Sequence, residues 1–447
     1  MGVEKFGPVR VGLLGIGTVG KGSFDVLARN QAEITRRAGR RIEITRIADL
    51  DTERASKVAA GRAQVTDDAY SIVRDPDIDI VIELIGGYRV AKDLVLAAIE
   101  NGKHVVTANK ALLAVHGNEI FEAAQRKGVM VAFEAAVAGG IPIIKAVREG
   151  LSANHIEWVA GIINGTTNFI LSEMRDKGLP FHEVLAEAQR LGYAEADPTF
   201  DVEGVDAAHK ATILASLAFG IPVSFDKCYV EGITKLASED IRYAEQLGYR
   251  IKLLGIARRR EEADGTRGVE LRVHPTLIPA RRLLANVEGA MNAVWVRGDA
   301  VGDTMYYGKG AGAEPTASAV VADLVDVARM LTADPDNRVP HLAFQTESLA
   351  ADLPILPIDQ VRSAYYLRLR VADEPGVLAD ITRILADAGI SIDAVLQREP
   401  ARGENETDII LLTHRTIERQ VNDAIRRIEA LATVLSSVTR IRLEDLD

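Results

Sequence analysis

The chain has 447 residues, of which 47% are apolar and 26% charged, and its net charge at pH 7 is −11. This length predicts two to four domains, and the acidic balance argues against a nucleic-acid partner. The single cysteine, Cys228, and the absence of a long apolar run or signal-peptide core fit a cytoplasmic protein with no membrane partner.

The first motif is a short strand followed at once by a glycine-rich turn and a helix. Val9 to Leu14 is predicted as the strand, and the helix is predicted from about Val19 to Ala38. The spacing GxGxxG between them allows a tight turn, close approach of backbone to a pyrophosphate, and close helix–strand packing. The alternative is a plain turn of another α/β protein. The predicted cofactor-binding residues here are Gly15, Ile16, Gly17, Thr18, Val19 and Gly20.

The second predicted strand, Ile42 to Ala48, ends at an acid, Asp49. A carboxylate at this strand end can accept hydrogen bonds from both ribose hydroxyls of an adenosine, which favours NAD over NADP. Arg54 could reach back to the same place, so NADP stays open as the alternative.

Two further predicted strands bring candidates to the same sheet edge. The apolar run 78–87 ends in glycines, which places Ile85 and Gly86 beside the predicted cofactor. The strand 103–108 is followed by Lys110, at the carboxyl edge where open α/β sheets bind ligands. The alternative for Lys110 is an ordinary surface lysine.

A last strand of this half is predicted over Gly128 to Pro142 and carries Glu134. Glu134 with the loop carbonyls that follow could hold a hard monovalent cation. The alternative is an acid that caps a helix or turn.

From about residue 143 the pattern changes to an α+β domain. A helix is predicted over Ile143 to Ser152, and a polar turn at Asn164 either binds a substrate carboxylate or caps a helix that starts near Asn168. Strands near 249–259, 268–279 and 291–299 predict one antiparallel sheet under a helical layer. Such strands often pair across a dimer, which makes a homo-oligomer plausible.

An acid-rich stretch, GYAEADPTFDVEGVDAAHK, spans residues 192–210. A helix predicted from about Val205 to Gly220 places Asp206 and Lys210 one turn apart on one face. The functional interpretation is that Lys210 donates a proton and is held by a carboxylate, while loop acids grip a cationic substrate. The alternative is a solvated ion pair. The acids of the stretch before Asp206 are Glu195, Asp197, Asp201 and Glu203.

The remainder contains a glycine loop, a linker and a compact module. Glycines at 308, 310 and 312 precede a helix over Pro315 to Met330, which either returns to the nucleotide domain or simply connects two domains. The proline-containing segment that follows has linker composition. Beyond it, the order βαββαβ predicts a ferredoxin-like motif.

Six segments together resemble homoserine dehydrogenases that carry a C-terminal ACT regulatory domain. They are GIGTVG at 15–20, TANKALLA at 107–114, FEAAVAGGIPII at 133–144, NGTTNFIL at 164–171, the stretch 192–210, and GKGAGAEPTASAVVADL at 308–324. The resemblance covers essentially the whole chain and implies an α/β fold with a Rossmann-type domain, an α+β catalytic and dimerisation domain, and a ferredoxin-like ACT domain. The predicted divisions are 1–135 with the helix near 312–331, then 136–311, a linker 332–361, and 362–447.

The resemblance also implies a reaction and its residues. The reaction is the reversible NAD(P)H-dependent reduction of L-aspartate 4-semialdehyde to L-homoserine, in threonine, methionine and isoleucine biosynthesis. L-Threonine is the expected inhibitor through the ACT domain. The implied catalytic residues are Lys210, Asp206 and Lys110; the substrate residues are Glu195, Asp201, Lys110 and Asp206. Lys110, Gly310 and Gly312 would border the cofactor, and Glu134 with Val137, Gly139 and Ile141 resembles a sodium site.

The chain departs from the family pattern at one position, and two alternative functions stay open. Many NADP-using members carry arginine where this chain has Ala48, which supports NAD. The length implies a monofunctional form, and a homodimer or homotetramer is expected. The rivals are another dehydrogenase on the same nucleotide fold, and an amino-acid sensor that has lost catalysis.

Overall fold

The computed structural model describes residues 7–261, 265, 267–335, 338–400 and 404–446. Six parts of the predicted regions therefore lie outside the described residues: 1–6 of the nucleotide domain, 262–264 and 266 of the catalytic domain, 336–337 of the linker, and 401–403 and 447 of the C-terminal module.

The first half is a parallel sheet covered by helices on both faces. Its strand order is β3-β2-β1-β4-β5-β6, and every neighbouring pair is parallel. This is the Rossmann order, which confirms the predicted fold. The strands are β1 (Val9–Leu14), β2 (Ile42–Ala48), β3 (Gln64–Thr66), β4 (Ile80–Glu83), β5 (His104–Thr107) and β6 (Val131–Ala132). The helices are α1 (Thr18–Arg29), α2 (Gln31–Ala38), α3 (Thr52–Ala59), α4 (Ala69–Val73), α5 (Arg89–Glu100) and α6 (Lys110–Lys127).

Two elements of this half differ from the prediction. The single helix expected over 19–38 is two helices that meet at Asn30, a residue type that favours helix ends over helix interiors. The long strand expected over 128–142 is only the two residues of β6. It ends early because a 3₁₀ turn, Glu134–Ala136, takes the chain away from the sheet.

The second part is a mixed sheet with helices on one face. Its elements are α7 (Ile143–Lys145), β7 (Ile156–Ile162), α8 (Gly165–Lys177), α9 (Phe181–Arg190), α10 (Thr199–Val202), α11 (Val205–Phe219), β8 (Tyr229–Val230), α12 (Ser238–Gln246), β9 (Tyr249–Glu261), β10 (Arg267–Pro279), β11 (Met291–Gly298), β12 (Gly302–Lys309) and α13 (Ala313–Met330). Strands β12, β11, β7, β9 and β10 are antiparallel neighbours, which confirms the predicted antiparallel sheet of β9, β10 and β11 and adds β7 and β12 to it.

One local prediction here is confirmed and two were wrong. The helix expected over 143–152 is present as α7, which continues into a π-helix, Ala146–Gly150. The helix expected near Asn168 begins at Gly165, because Asn164 caps it. The segment before the glycine loop was not predicted as a strand, yet it forms β12 and pairs with β11.

Helix α13 returns to the nucleotide half, as one of the two interpretations of the glycine loop expected. It packs on α1, where a side chain on Gly22 would meet the carbonyl oxygen of Ala313 at 2.7 Å. Buried residues of α13 such as Val320 and Leu324 share one apolar cluster with β1 and β2.

The C-terminal module has the predicted βαββαβ order. Its elements are β13 (Arg362–Ala372), α14 (Val377–Asp387), β14 (Ile392–Gln397), β15 (Glu406–Thr413), β16 (Thr416–Ile417), α15 (Glu418–Glu429) and β17 (Thr439–Leu443). The prediction treated this module as separate from the middle domain. Instead, β17 pairs in parallel with β10, so the two sheets are continuous.

Buried charges line this sheet junction. Arg272 bonds Glu444 at 2.6 Å, and Arg442 bonds Glu231 at 2.8 Å, with both arginines about 1% exposed. Paired in this way, the charges tolerate burial, whereas removing one partner would leave the other uncompensated. Within the described residues, no helix is both long and apolar enough to span a membrane.

Candidate active site

The glycine-rich turn between β1 and α1 has the shape of a phosphate cradle. Gly15 has a φ of +92°, and a side chain there would meet the backbone oxygen of Leu84 at 2.7 Å. A side chain on Gly20 would lie 2.1 Å from the carbonyl oxygen of Gly15, so the turn and the helix are in contact. Beside Gly17 the space is open, with no atom within 4 Å of an added side chain. No side chain caps α1, so its first N–H groups face this space, which fits a pyrophosphate.

Asp49, directly after the last residue of β2, forms a hydrogen bond with the glycine-rich turn. Its carboxylate accepts the N–H of Ile16 at 2.7 Å and that of Asp51 at 2.9 Å, and Arg54 reaches back to it at 3.1 Å. Burial alone would raise the pKa of Asp49, but these three donors lower it, so the carboxylate stays ionised. Thr18 and Val19 begin α1 beside it, with Thr18 exposed.

The end of β4 contains an acid that the sequence analysis missed. Glu83 is fully buried, and it accepts the N–H of Ile85 at 2.9 Å and the hydroxyl of Thr107 at 2.7 Å. Burial raises its pKa. Glu83 thereby fixes the predicted cofactor residues Ile85 and Gly86, of which Gly86 has a φ of +83° and open space beside it. An acid that ends an otherwise apolar strand was the available signal.

The second glycine loop packs against the segment that follows Glu134. A side chain on Gly139 would approach the carbonyl oxygen of Gly310 to 2.4 Å, and one on Gly310 would overlap the amide of Asn292 at 1.9 Å. Gly312 has a φ of +120° and caps α13. Close backbone approach therefore requires these glycines, and their contact with the cofactor stays a prediction.

Asp206 lies between the two predicted lysines. Its Oδ2 accepts from Lys210 Nζ at 2.6 Å, and its Oδ1 lies 3.0 Å from Lys110 Nζ. The Lys210 ammonium also donates to the carbonyl oxygen of Ile163 at 2.7 Å. The side chains of Asp206 and Lys210 are 5% and 11% exposed, so the alternative of a solvated surface pair was wrong. Lys110 begins α6, which Asn109 caps, and its ammonium is half-buried.

The three charges shift one another's pKa values. Burial would raise the pKa of Asp206, but the two ammonium groups outweigh it and hold that pKa well below its usual range. Burial lowers the pKa of Lys210 and outweighs the carboxylate. The charge of Asp206 raises the pKa of Lys110. Lys210 is therefore the lysine that gives up a proton more readily.

The loop acids divide into two groups. Asp201 is half-buried beside Asp206, and burial raises its pKa. Glu195 is exposed, and its charge helps to raise the pKa of Lys110. Asp197 and Glu203 are used elsewhere, because Asp197 accepts the N–H of Thr199 at 3.1 Å and Glu203 accepts the hydroxyl of Thr234 at 2.9 Å. The acids that could contact a cation beside Lys210 are thus Glu195, Asp201 and Asp206.

Asn164 joins the same cluster, although the sequence analysis considered it only as part of a turn. Its amide nitrogen donates to Asp201 at 2.7 Å and to Asp206 at 2.8 Å, while its oxygen caps α8. Capping, the safer alternative for this turn, is therefore confirmed. The contact with two acids distant in sequence had no sequence signal.

The carboxylate of Glu134 bonds to the start of the next helix, which confirms the alternative interpretation of a capping acid, and its role as a cation ligand stays a prediction. Its two carboxylate oxygens accept the N–H groups of Ile144 at 2.9 Å and Lys145 at 2.8 Å, so its side chain caps α7. Burial raises the pKa of Glu134 to about 7. Within the described residues, no group of three or more histidine, cysteine or acidic side chains could hold a metal ion. A cation here would also rest on the backbone oxygens of Val137, Gly139 and Ile141.

Comparison with known proteins agrees with this geometry. Residues 15–134 match the NAD-binding domain of homoserine dehydrogenase, residues 142–325 match homoserine dehydrogenase, and residues 365–433 match the ACT domain. A homoserine dehydrogenase of Pseudomonas aeruginosa is 64% identical over 98% of this chain and 100% of its own length.

Two solved structures extend the comparison. A homoserine dehydrogenase from Thiobacillus denitrificans has a TM-score of 0.93 and 68% identity, and the match covers 98% of this chain and 99% of that one. A hyperthermophilic archaeal homoserine dehydrogenase in complex with NADPH has a TM-score of 0.60 and 25% identity, over 72% of this chain and 97% of that one. The chain belongs to the homoserine dehydrogenase family of NAD(P)-dependent oxidoreductases and carries a C-terminal ACT domain.

Proposed function

We propose that Lys210 is the proton donor for the reversible reduction of L-aspartate 4-semialdehyde to L-homoserine. The observation that carries this role is the geometry of its ammonium. A lysine ammonium has three hydrogens. Asp206 and the backbone oxygen of Ile163 take two of them, which leaves the third for a substrate oxygen. The lowered pKa of Lys210 suits a group that must both donate and recover a proton.

Each charged residue of the cluster has a distinct task in this proposal. When bound, the nicotinamide supplies the hydride that the aldehyde carbon accepts, and the aldehyde oxygen takes its proton from Lys210. Lys110 stabilises the negative charge that grows on this oxygen, because its own pKa is raised and it stays charged. Asp206 orients both ammonium groups. Glu195 and Asp201 bind the substrate's amino group as opposite charges.

For the cofactor we propose NAD in preference to NADP. The support is the ionised carboxylate of Asp49 at the ribose end of the cradle, fixed by the N–H of Ile16. Arg54 touches the same carboxylate and provides a cation for a 2′-phosphate, so we expect a preference and not an exclusion of NADP.

The test of the reaction uses the purified chain with L-homoserine and either NAD⁺ or NADP⁺, with nicotinamide reduction as the readout. We expect turnover with both cofactors and a higher kcat/KM with NAD⁺. Lys210→Ala is expected to lower kcat by about a hundredfold or more, as loss of a positioned general acid should. Lys210→Arg keeps the charge, but the guanidinium group stays protonated because of its high pKa, so turnover of this variant should also be slow. Near-normal turnover of Lys210→Ala would assign the proton transfer to another residue.

A sodium ion is a further proposal, supported by the carbonyl-rich turn at Val137, Gly139 and Ile141. These oxygens and Glu134 would hold the ion, since each carboxylate oxygen of Glu134 accepts one N–H and keeps a further lone pair. Its expected role is structural, because it would fix the turn that packs on Gly310. Equal activity and melting temperature in sodium and in choline salts would refute the site.

We further propose that the ACT domain binds L-threonine and lowers activity. Backbone N–H groups at the start of α14, next to Gly376 with its φ of +101°, offer a place for a small zwitterion. A continuous set of contacts links this domain to the site. Arg442 binds Glu231 at 2.8 Å, the N–H of Ile233 bonds the carbonyl oxygen of Val202 at 2.8 Å, and Val202 follows Asp201 on α10.

A point variant tests this regulation better than removal of the whole ACT domain. Deletion of the module from Val361 onward would remove Arg442 and Arg368, whose partners Glu231 and Asp240 lie in the middle domain. The truncated chain is expected to unfold, so a point variant is preferable. Gly376→Val adds a side chain where the backbone is left-handed and open, and it should abolish threonine inhibition with unchanged activity in the absence of threonine. Wild-type activity that ignores threonine would refute the effector.

A homodimer or homotetramer and a role in threonine, methionine and isoleucine biosynthesis complete the proposal. Family membership supports the biosynthetic role, and the antiparallel strands of the middle sheet, a kind that often pairs across a dimer, support the oligomer. Light scattering on the purified chain measures the first, and growth of a homoserine-requiring strain that expresses this chain measures the second.

A further inference from the structure

Asn164 lies between the end of β7 and the start of α8, beside the acids of α10 and α11. It is 4% exposed. Its side-chain amide has two hydrogens and one oxygen, and all are used. The nitrogen donates to Asp201 Oδ1 at 2.7 Å and Asp206 Oδ2 at 2.8 Å, while the oxygen accepts the N–H of Thr167 at 2.8 Å and its hydroxyl at 2.9 Å.

The orientation of this amide follows from its neighbours. If the nitrogen and oxygen were exchanged, the amide oxygen would face two carboxylates and the amide hydrogens would face the N–H of Thr167. Both contacts would be repulsive. The two hydrogens therefore point at the two acids.

We propose that Asn164 is a positioning residue of the active site that clamps Asp201 and Asp206 together. This inference rests on the proposed function, because both acids act there on substrate or on Lys210. In the described part of the chain, Asn164 donates the only hydrogen bond to the Asp201 carboxylate. Asp201 lies on α10, an element of four residues, so little else fixes its direction.

Two close carboxylates repel, and a shared neutral donor offsets that repulsion. Asp206 also has two ammonium partners and keeps its place without Asn164. Within the residues that the structure describes, Asp201 has no such partners, so its position depends on Asn164. Loss of the clamp should therefore act mainly on substrate binding through Asp201, and less on the proton step.

The two jobs of Asn164 use different atoms, so variants can separate them. Capping uses the oxygen and clamping uses the nitrogen. Serine is a good N-cap but has no pair of N–H groups, so Asn164→Ser keeps the cap and loses the clamp. Asn164→Ala loses both. Asn164→Asp keeps the cap and adds a third carboxylate against the other two.

The experiment measures kcat and the KM for L-homoserine across pH for wild type and all three variants, with melting temperatures alongside. Asn164→Ser should raise the KM about tenfold or more, the scale of a lost hydrogen bond to a charged group, with a smaller change in kcat and a melting temperature close to wild type. Asn164→Asp should be the most impaired at neutral pH and should improve as pH falls, because protonation relieves the repulsion.

A double-mutant cycle tests whether Asn164 acts through Asp201. Asp201→Ala should raise the KM by itself, and adding Asn164→Ser to it should then change little. Additive effects would overturn the clamp, as would wild-type kinetics in Asn164→Ser with a loss confined to Asn164→Ala. Should Asn164→Asp fail to fold, the serine and alanine pair still decides. A folded wild-type chain that does not turn over L-homoserine would refute the proposed function and this proposal together, whereas active wild type with an unimpaired serine variant refutes this proposal alone.

Discussion

Replacing the carboxylate of Asp206 by an amide tests the electrostatics of the site most directly. Asp206→Asn keeps the size and shape of the side chain but removes the negative charge between Lys210 and Lys110. Both ammonium groups then lose their nearest counter-charge, at 2.6 and 3.0 Å. Burial already lowers the pKa of Lys210, and Asp206 opposes that shift. The variant is therefore expected to lower this pKa further.

The size of the effect follows from burial. Asp206 and Lys210 are 5% and 11% exposed, and breaking a buried ion pair by removing one partner costs about 3–5 kcal/mol. The uncompensated Lys210 ammonium relieves part of this cost by giving up its proton, so its pKa is expected to move further down. The same uncompensated charge should lower the melting temperature.

The assay is the pH dependence of kcat/KM in both directions. Aldehyde reduction needs protonated Lys210, so its rate falls as pH rises through this pKa, and the variant should move that limb to lower pH. Homoserine oxidation needs the neutral amine, so its acidic limb should also move to lower pH. Asp197→Asn is the matched control, because Asp197 lies in the same acidic stretch but, among the described residues, accepts only from Thr199 at 3.1 Å. Unmoved limbs in Asp206→Asn, or an equal shift in the control, would refute the reasoning.

Four further predictions concern the cofactor site and acid stability. Gly17→Ala should fold normally and weaken NAD binding by about tenfold or more, because its side chain enters the open cradle. Gly20→Ala should instead destabilise the fold by about 1–3 kcal/mol, since its side chain would lie 2.1 Å from a backbone oxygen. Arg54→Ala should lower kcat/KM with NADP⁺ about tenfold relative to NAD⁺. Burial lowers the pKa of His104 and of His341 from 6.5 to about 4. Between these two pH values the unfolded chain therefore binds more protons than the folded chain. The free energy of unfolding should fall as the pH drops from about 6.5 to 4.

Each of these has a result that contradicts it. Unchanged NAD affinity in Gly17→Ala, by titration calorimetry, would place the pyrophosphate elsewhere, and a normal melting temperature in Gly20→Ala would contradict the tight packing. An unaltered cofactor ratio in Arg54→Ala would remove that side chain from cofactor choice. For the histidines, His104→Asn with His341→Gln keeps acceptors in place of Nδ1 and Nε2 for the N–H groups of Met130 and Val131. Urea unfolding of this pair should depend less on pH than that of wild type.

The sequence alone predicted elements whose causes are local. Gly20 of GIGTVG is required by its contact with Gly15 in the same turn, so the spacing of these two glycines carries the information, whereas Gly15 also lies against Leu84 at the end of another strand. The i,i+4 spacing of Asp206 and Lys210 is fixed once α11 forms, and the cap by Asn164 involves residues only three apart. The order βαββαβ likewise follows from alternating apolar patterns within each element.

Only the tertiary structure decided which distant groups meet. Burial of Lys210, the largest cause of its lowered pKa, comes from packing of α11 under the mixed sheet and has no trace in its own segment. The carboxylate of Glu134 accepts the N–H of Ile144, ten residues away at the start of the next helix. The clamp on Asp201 spans 37 residues, and the pairing of β10 with β17 joins segments more than 150 residues apart. A local pattern records which face of an element is apolar, but the partner of that face is set by how all the elements pack together.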